Sequence, residues 1–311
     1  NNIFINKIFK SPIFLIIGLF CFCLPLQASK LFEPSDSLKK NRVWGMSSVA
    51  FSGSSLTIYL LSQQWYSKDK PVPFHWFNDE GDWLYMDKLG HGLTSYYGGL
   101  YGYTALRWTG IRKNKALLLG GVYGFSFLLT TEIMDGYSSG WGASPSDLVA
   151  NGLGSLLFMG QEFLLGKQAI VPKFSYWPTN FAKYRPDILG STHWNRWLKD
   201  YNGQTYWFSI NPSALGLESF LFPKWLSVSL GYGADGMLGG KFNPRENEEG
   251  DFLPYFDRKS EFFLSLDINW SSIRTKSYFL NTVIRGLSFV KMPFPALRLY
   301  NKKLNGVLIQ Y

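Results

Sequence analysis

The hydrophobic period of this chain changes once, near Gly166, and no single regular element accommodates both halves. Before that point, apolar residues come in long charge-poor runs of helical texture. Beyond it they alternate with small or polar residues. A period near 3.6 builds a helix stripe, and a period of two builds a strand with two unlike faces. The expected fold class is therefore α+β, a helical front followed by an antiparallel β-rich back half. At 311 residues the chain can bury a sizeable core without a disulfide or a structural metal.

Val43 to Ser67 carry no charge over 25 residues and form the first expected helix. Asp82 to Trp108, Lys115 to Asp135 and Ser144 to Gly166 give three more. The last has a readable start: Ser144 as cap, Pro145 at the first helical position, and Asp147 three residues after the cap. Charge-free stretches within the third and fourth helices run for 16 residues, Ala116 to Thr131, and 14 residues, Leu148 to Gln161. A perpendicular membrane span needs about 20. Both fall short of that role.

Residues 1–28 read as a secretion signal. Lys7 and Lys10 precede an apolar run from Pro12 to Leu26, and Ala28 supplies a small residue for cleavage. Cys21 and Cys23 lie inside that run. Phe20 and Phe22 before them argue against lipid attachment, and cleavage would leave no cysteine, which excludes a disulfide scaffold. An uncleaved anchor helix is the alternative. Loop charges conflict with this signal. Lys39, Lys40 and Arg42, then Arg107, Arg112, Lys113 and Lys115, make two loops basic, while Asp79, Glu80, Asp82, Asp135 and Asp147 make the others acidic. As four inner-membrane spans, this would put the start of the first helix in the cytoplasm, against the signal. The signal carries more weight. The expectation is a membrane-associated four-helix bundle beyond the inner membrane, in the periplasm or at the outer membrane, with an inner-membrane location as the alternative.

Composition agrees with a membrane partner. Aromatics make up 18% of the chain, with 12 Trp and 18 Tyr, and such amphipathic rings favour the membrane–water boundary. The surplus of 31 Lys+Arg over 22 Asp+Glu suits an anionic surface. Nucleic acid is excluded as a partner, because no dense basic stripe or nucleic-acid motif occurs. The partners expected are a membrane or its surface and, second, other envelope proteins.

After Gly166, Tyr206, Phe208 and Ile210 alternate with Trp207, Ser209 and Asn211, and Leu226 to Tyr232 and Phe262 to Trp270 repeat the pattern. Val307, Ile309 and Tyr311 close it. Turn clusters separate these runs, and Phe279 to Val290 reads as a short amphipathic helix. Four to six strands follow, too few for a complete outer-membrane barrel, which needs about eight. The expected division is a signal peptide at 1–28, a linker at 29–42, a helical bundle domain at 43–168, an aromatic linker at 169–203 and an antiparallel β-rich domain at 204–311. In a membrane barrel the apolar strand face would meet lipid; in a soluble sheet it would meet a core.

The residues that carry chemistry sit on the helices. Asp87 and His91 are four apart on the second helix, with Lys88 beside them; Glu132 and Asp135 close the third; Asp147 and Asn151 are four apart on the fourth. Gly152 and Gly154 follow, small enough for close helix approach, and Gly98, Gly99, Gly102, Gly120, Gly121 and Gly124 read as packing residues. His75 and His193 stand in aromatic loops and read as surface residues. The pattern Asp-Lys-x-x-His, Glu-x-x-Asp, Ser-x-x-Asp-x-x-x-Asn-Gly-x-Gly, over Asp82 to Phe158, is similar to the YfiM-like group of predicted periplasmic proteins. More distantly it resembles the VanZ-like membrane proteins. VanZ-like proteins place a Gln and an Arg-containing loop after the Glu, whereas Asp135 and Gly136 follow here and no Arg lies between Gly136 and Ser146. That favours the YfiM-like branch. The resemblance implies an envelope location and brings no reaction.

Each residue also has a plainer reading. Asp147 can cap its own helix, Asp87 and Lys88 can be a solvated pair, and His91 can be a satisfied buried histidine. Charges inside an apolar bundle are costly unless paired or metal-bound, so a polar cluster there is either a structural lock or a site. As a site it suits two chemistries. His91, Asp87, Glu132, Asp135, Asp147 and Asn151 can hold a divalent metal. Alternatively Asp87 orients His91 as a general base, with Lys88 placed for an anionic group. The leading expectation is an exported envelope protein of unassigned activity with a polar lock. The rival is a metal-assisted hydrolase of a lipid-linked or phosphorylated envelope substrate.

Overall fold

The computed structural model describes residues 33–66, 69–217, 219, 223–247 and 249–310. The expected signal peptide, both cysteines and Tyr311 lie outside them. The fold is α+β, with helices in the N-terminal half and a six-stranded antiparallel sheet in the C-terminal half.

Four long helices open the described chain: α1 Lys40–Trp65, α2 Met86–Trp108, α3 Lys113–Gly136 and α4 Pro145–Leu165. The start of α4 is the expected one. Ser144 Oγ accepts the Asp147 N–H at 3.1 Å, Pro145 occupies the first turn, and Gly166 at φ 66° ends the helix. The start of α2 differs. Trp83, Leu84 and Tyr85 have φ of 52°, 50° and 64°, left-handed values that no right-handed helix can include. Bulky residues in that region each cost on the order of 1–3 kcal/mol, so neighbours must hold them there. The Trp83 N–H donates to Gly240 O at 2.8 Å, and Tyr232 OH donates to Leu84 O at 2.7 Å.

Helices α2, α3 and α4 pack against one another along glycine seams. A Cβ at Gly124 would lie 2.4 Å from Ser95 O, and one at Gly154 would lie 2.1 Å from Gly92 O. Nothing lies within 4 Å of a Cβ at Gly152, so that glycine is not part of a seam. The expected four-helix bundle is therefore three packed helices, because α1 buries none of its residues. Among the described residues it is tied on by Arg42, over Trp108 and donating to its carbonyl at 3.1 Å, by Lys199, over Trp65 and donating to Gln64 O at 2.9 Å, and by Ser54 Oγ with Tyr123 OH at 2.9 Å. Helices α3 and α4, at 24 and 21 residues, exceed the charge-free runs inside them and are long and apolar enough to cross a membrane.

Six strands follow: β1 Ile170–Tyr176, β2 Gln204–Ile210, β3 Leu226–Asp235, β4 Lys259–Ile268, β5 Phe294–Tyr300 and β6 Lys303–Gln310. Each pairs antiparallel with the next. Strand β1 falls in the stretch expected to be an aromatic linker, as do two short helices, α5 Pro186–Leu189 and α6 His193–Lys199. The expected amphipathic helix is α7 Tyr278–Gly286, which ends four residues short of Val290.

The two faces of the sheet are inverted relative to a soluble sheet. Phe208, Leu230, Leu264 and Leu297 stand in one register row and are 38, 51, 43 and 46% exposed. The opposite face, with Lys173, Trp207, Ser209, Ser229, Phe263, Ser265 and Asp267, is buried. A flat sheet would separate β1 from β4 by about 14 Å. Yet Lys173 Nζ of β1 lies 2.6 Å from Asp267 Oδ2 of β4, so the sheet curls tightly around its small-polar face. Residues 289–291 lie along the free edge of β1, with the Phe174 N–H on Phe289 O at 2.7 Å and the Lys291 N–H on Phe174 O at 3.0 Å. Helix α2 joins the halves, its Met86 packing with Phe174, Tyr206, Ala234 and Met237.

Candidate functional site

Because α2, α3 and α4 alternate in direction, the start of α2, the end of α3 and the start of α4 share one end of the bundle. The sequence puts Asp87, Lys88 and His91 on the first, Glu132 and Asp135 on the second, and Asp147 and Asn151 on the third. Two helix N-termini there favour anionic side chains, Asp87 and Asp147 among them. The aromatic loop 69–81 is fixed over the same end by paired backbone bonds, His75 N–H to Gly136 O at 2.9 Å and Phe77 N–H to Ala143 O at 2.9 Å.

Lys88 is the hub. Its Nζ lies 2.5 Å from Asp79 Oδ2, 3.1 Å from Asp87 Oδ2 and 2.8 Å from Asp147 Oδ1. The Asp147 contact is an ion pair without the angles of an aligned hydrogen bond. Asp79 also accepts from Ser144 Oγ at 2.6 Å and Ser146 Oγ at 2.9 Å. Burial alone would raise the Asp79 carboxyl, but Lys88 and the two hydroxyls overcome it and hold the group below its ordinary value. Asp87 Oδ1 accepts from Tyr201 OH at 2.6 Å. Burial, and then the Asp87 charge, push the Tyr201 phenol well above its usual range, so it serves as a hydrogen-bond donor.

His91 faces the three acids across longer gaps. Its Nδ1 lies 3.1 Å from Asn151 Oδ1 and 3.6 Å from Glu132 Oε1. Its Nε2 lies 3.9 Å from Asp87 Oδ1 and 4.0 Å from Asp147 Oδ1. Glu132 Oε2 accepts the Ser144 N–H at 3.0 Å, whereas Glu132 Oε1 and Asn151 Nδ2 are buried without a hydrogen-bond partner. Asp135 stands apart. Its carboxylate accepts from Tyr66 OH at 2.6 Å, and it makes no ion pair with His91 or Lys88 within 4.0 Å. The structure thus gathers Asp87, Lys88, His91, Glu132, Asp147 and Asn151 and leaves Asp135 beside them.

Sequence reasoning missed Asp79 and Tyr201. Asp79 lies in a loop whose acidity and aromatics read as surface, and only its Ser144 and Ser146 contacts show it bound to the start of α4. Tyr201 is 114 residues from Asp87 and carried no signal. Of the two loop histidines, His193 is exposed and opens α6, while His75 is half-buried beside Gly142, where an added Cβ would meet its Nε2 at 3.0 Å.

Comparison with curated proteins and with solved structures gives no match. A family model described as predicted periplasmic lipoprotein (DUF2279) matches residues 75–159. That span holds the loop from His75, all of α2 and α3 and most of α4, hence every cluster residue except Tyr201. The match supports a periplasmic lipoprotein family and an exported protein of the bacterial cell envelope, and it attaches no activity.

Proposed function

We propose that this chain is a lipid-seated protein of the bacterial envelope, of the YfiM-like kind and at the outer membrane. In this reading the Tyr201–Asp87 hydrogen bond ties α2 to the segment leading into β2. One observation carries the proposal: the sheet turns most of its leucines, with Phe208 and Phe262, outward and its serines and its Lys–Asp pair inward. Exposed apolar rows are unfavourable in water and favourable in hydrocarbon. Strands β3 and β4, at 10 residues each, are about 33 Å long, enough to span the roughly 25 Å apolar band of membrane β-structure at its usual tilt of about 40°. Exposed apolar residues continue over α3 (Leu118, Val122), α4 (Leu153, Leu156) and α1 (Phe51, Leu56). Trp76, Trp141 and Tyr137, exposed at the loop end, are the residue types that sit at a lipid–water boundary.

The test is extraction and substitution. The full chain should fractionate with outer membranes, resist carbonate and urea washes, and float with phosphatidylethanolamine–phosphatidylglycerol vesicles. Leu264→Arg should destabilise the vesicle-bound protein by roughly 2–4 kcal/mol, the cost of a cation on a lipid-facing strand; on a water-facing surface the change stays within about 0.5 kcal/mol. Release by carbonate together with a neutral Leu264→Arg would end this reading.

A further inference from the structure

We infer that Asp87, His91 and Asp147 form a binding site for one divalent transition-metal cation, with Glu132 and Asn151 as its supporting shell. The inference is independent of the lipid-seated reading, since it rests on the interior of the bundle.

The tautomer of His91 comes first. Asn151 Oδ1, 3.1 Å from His91 Nδ1, can only accept, so in the neutral ring the proton sits on Nδ1. The lone pair then lies on Nε2. That atom faces Asp87 Oδ1 and Asp147 Oδ1 at 3.9 and 4.0 Å, too far for a hydrogen bond to either. One ligand atom each from Asp87, His91 and Asp147 lie within 4.8 Å of one another. Ligands bound to zinc at about 2.0–2.1 Å in tetrahedral array stand roughly 3.4 Å apart, so the two His91 edges must close by about half an ångström and the widest edge by up to about 1.4 Å. A histidine that gives its other N–H to an amide or carboxylate is how metal-bound imidazoles are oriented.

A second, independent observation is the set of polar atoms without hydrogen-bond partners. Glu132 is 2% exposed, its Oε1 points at the His91 ring from 3.6 Å, and that oxygen and Asn151 Nδ2 have no partner. Native interiors rarely leave such groups unmade unless something else completes them. The charge count points the same way. Four carboxylates, Asp79, Asp87, Glu132 and Asp147, face one lysine and one histidine. Lys88 does not block the ion: Asp79 at 2.5 Å and Asp87 Oδ2 at 3.1 Å keep the ammonium when Asp147 turns to the metal. The His91 and Asp87 side chains are 17 and 23% exposed, so the group is not wholly sealed from solvent. One imidazole and two carboxylates suit zinc or manganese. They are too few and too nitrogen-rich for calcium, which takes six to eight oxygens.

The full-length protein, purified in detergent and stripped with a chelator, is titrated calorimetrically with Zn²⁺, Mn²⁺, Mg²⁺ and Ca²⁺. Saturable binding of one Zn²⁺ or Mn²⁺ per chain is expected, with Ca²⁺ at least tenfold weaker. His91→Ala and Asp147→Asn should each weaken binding by about a hundredfold or more, whereas Asp135→Asn, whose carboxyl is held by Tyr66, should leave it within a few-fold. Should a ligand variant fail to fold, X-ray absorption of the zinc-loaded wild-type chain decides: one imidazole nitrogen among oxygen ligands supports the site. No saturable binding, affinity untouched by His91→Ala, or a zinc spectrum without nitrogen overturns it.

Discussion

Two of the buried charge clusters among the described residues are handled in opposite ways. In the β half, Lys173 Nζ reaches Asp267 Oδ2 at 2.6 Å and Ile268 O at 2.7 Å. Asp267 Oδ2 also accepts from Ser209 Oγ at 2.6 Å, and Oδ1 takes the Ile268 N–H at 2.8 Å. No atom of that pair is left without a partner. In the helical half, Glu132 Oε1 and Asn151 Nδ2 have no hydrogen bond, and His91 Nε2 is 3.9 Å from its nearest acid. A complete network fixes a structure, and one with converging unpaired atoms is shaped for something else. On this contrast the Lys173–Asp267 pair is architecture, and the His91 cluster is the metal site proposed above.

The largest effect should come from the complete network. Lys173→Met leaves Asp267 buried and unpaired, and breaking such a pair costs about 3–5 kcal/mol. Adding Asp267→Leu should recover most of that loss, because no charge is then left behind. Unfolding in detergent of the two variants and the parent measures both steps. A single variant that loses under about 1 kcal/mol would mean the β interior is wet and loosely paired, and the contrast between the halves would fail.

The sequence carried some of this contrast and hid the rest. Alternation in Leu226 to Tyr232 and Phe262 to Trp270 marks strands with two unlike faces, but period two is symmetric and does not say which face is buried. The curl that settles it depends on Lys173 meeting Asp267, 94 positions apart and on strands that are not neighbours. Strand β1 was obscured because Pro172 and Lys173 break its apolar pattern. On the helices, the spacings Asp87/His91 and Asp147/Asn151 were legible because helical periodicity is local, and so was the Ser144 cap. The left-handed turn at Trp83 to Tyr85 was not, since its side chains favour other conformations and Gly240 and Tyr232 hold it from afar. Asp135 passed the sequence test and falls outside the His91 group, because Tyr66 claims it.

A middle-sized effect sharpens the β side. Lys291, in the loop after α7, donates to Leu266 O at 2.9 Å and Met292 O at 2.7 Å, with Asp267 and Lys173 as the charges facing it. Burial pulls its ammonium down from 10.5 to about 8, and Lys173 adds to this while Asp267 opposes it. Below pH 8 the folded and unfolded chains both carry the proton, so this group gives no pH dependence. Between about 8 and 10.5 only the unfolded chain keeps it, and stability rises with pH. The gain from pH 7 to 9.5 should be roughly 1–2 kcal/mol. Lys291→Met should abolish that rise, and unfolding midpoints at the two pH values read it. A rise that persists in the variant assigns it to another group.

The smallest effect concerns the incomplete network. If the His91 cluster were closed in the manner of the β interior, His91→Ala would leave a buried partner unmade and cost about 1–3 kcal/mol. In metal-free protein, His91 makes one hydrogen bond, to an asparagine whose amide nitrogen already lacks a partner, and it stands within 4.0 Å of three carboxylates. Truncation there leaves Asn151 Oδ1 alone unmade, so the loss should sit at the low end of that range, about 1 kcal/mol. The difference between parent and variant should open only when metal is added. Binding to the folded state alone at a hundredfold excess over Kd stabilises by about 2.7 kcal/mol. The parent should gain that much and His91→Ala little of it. Thermal unfolding of both proteins, with chelator and with zinc, separates the cases. A large loss in chelator that zinc leaves unchanged would make His91 a closed lock, and the two halves of the molecule would then bury charge by the same rule.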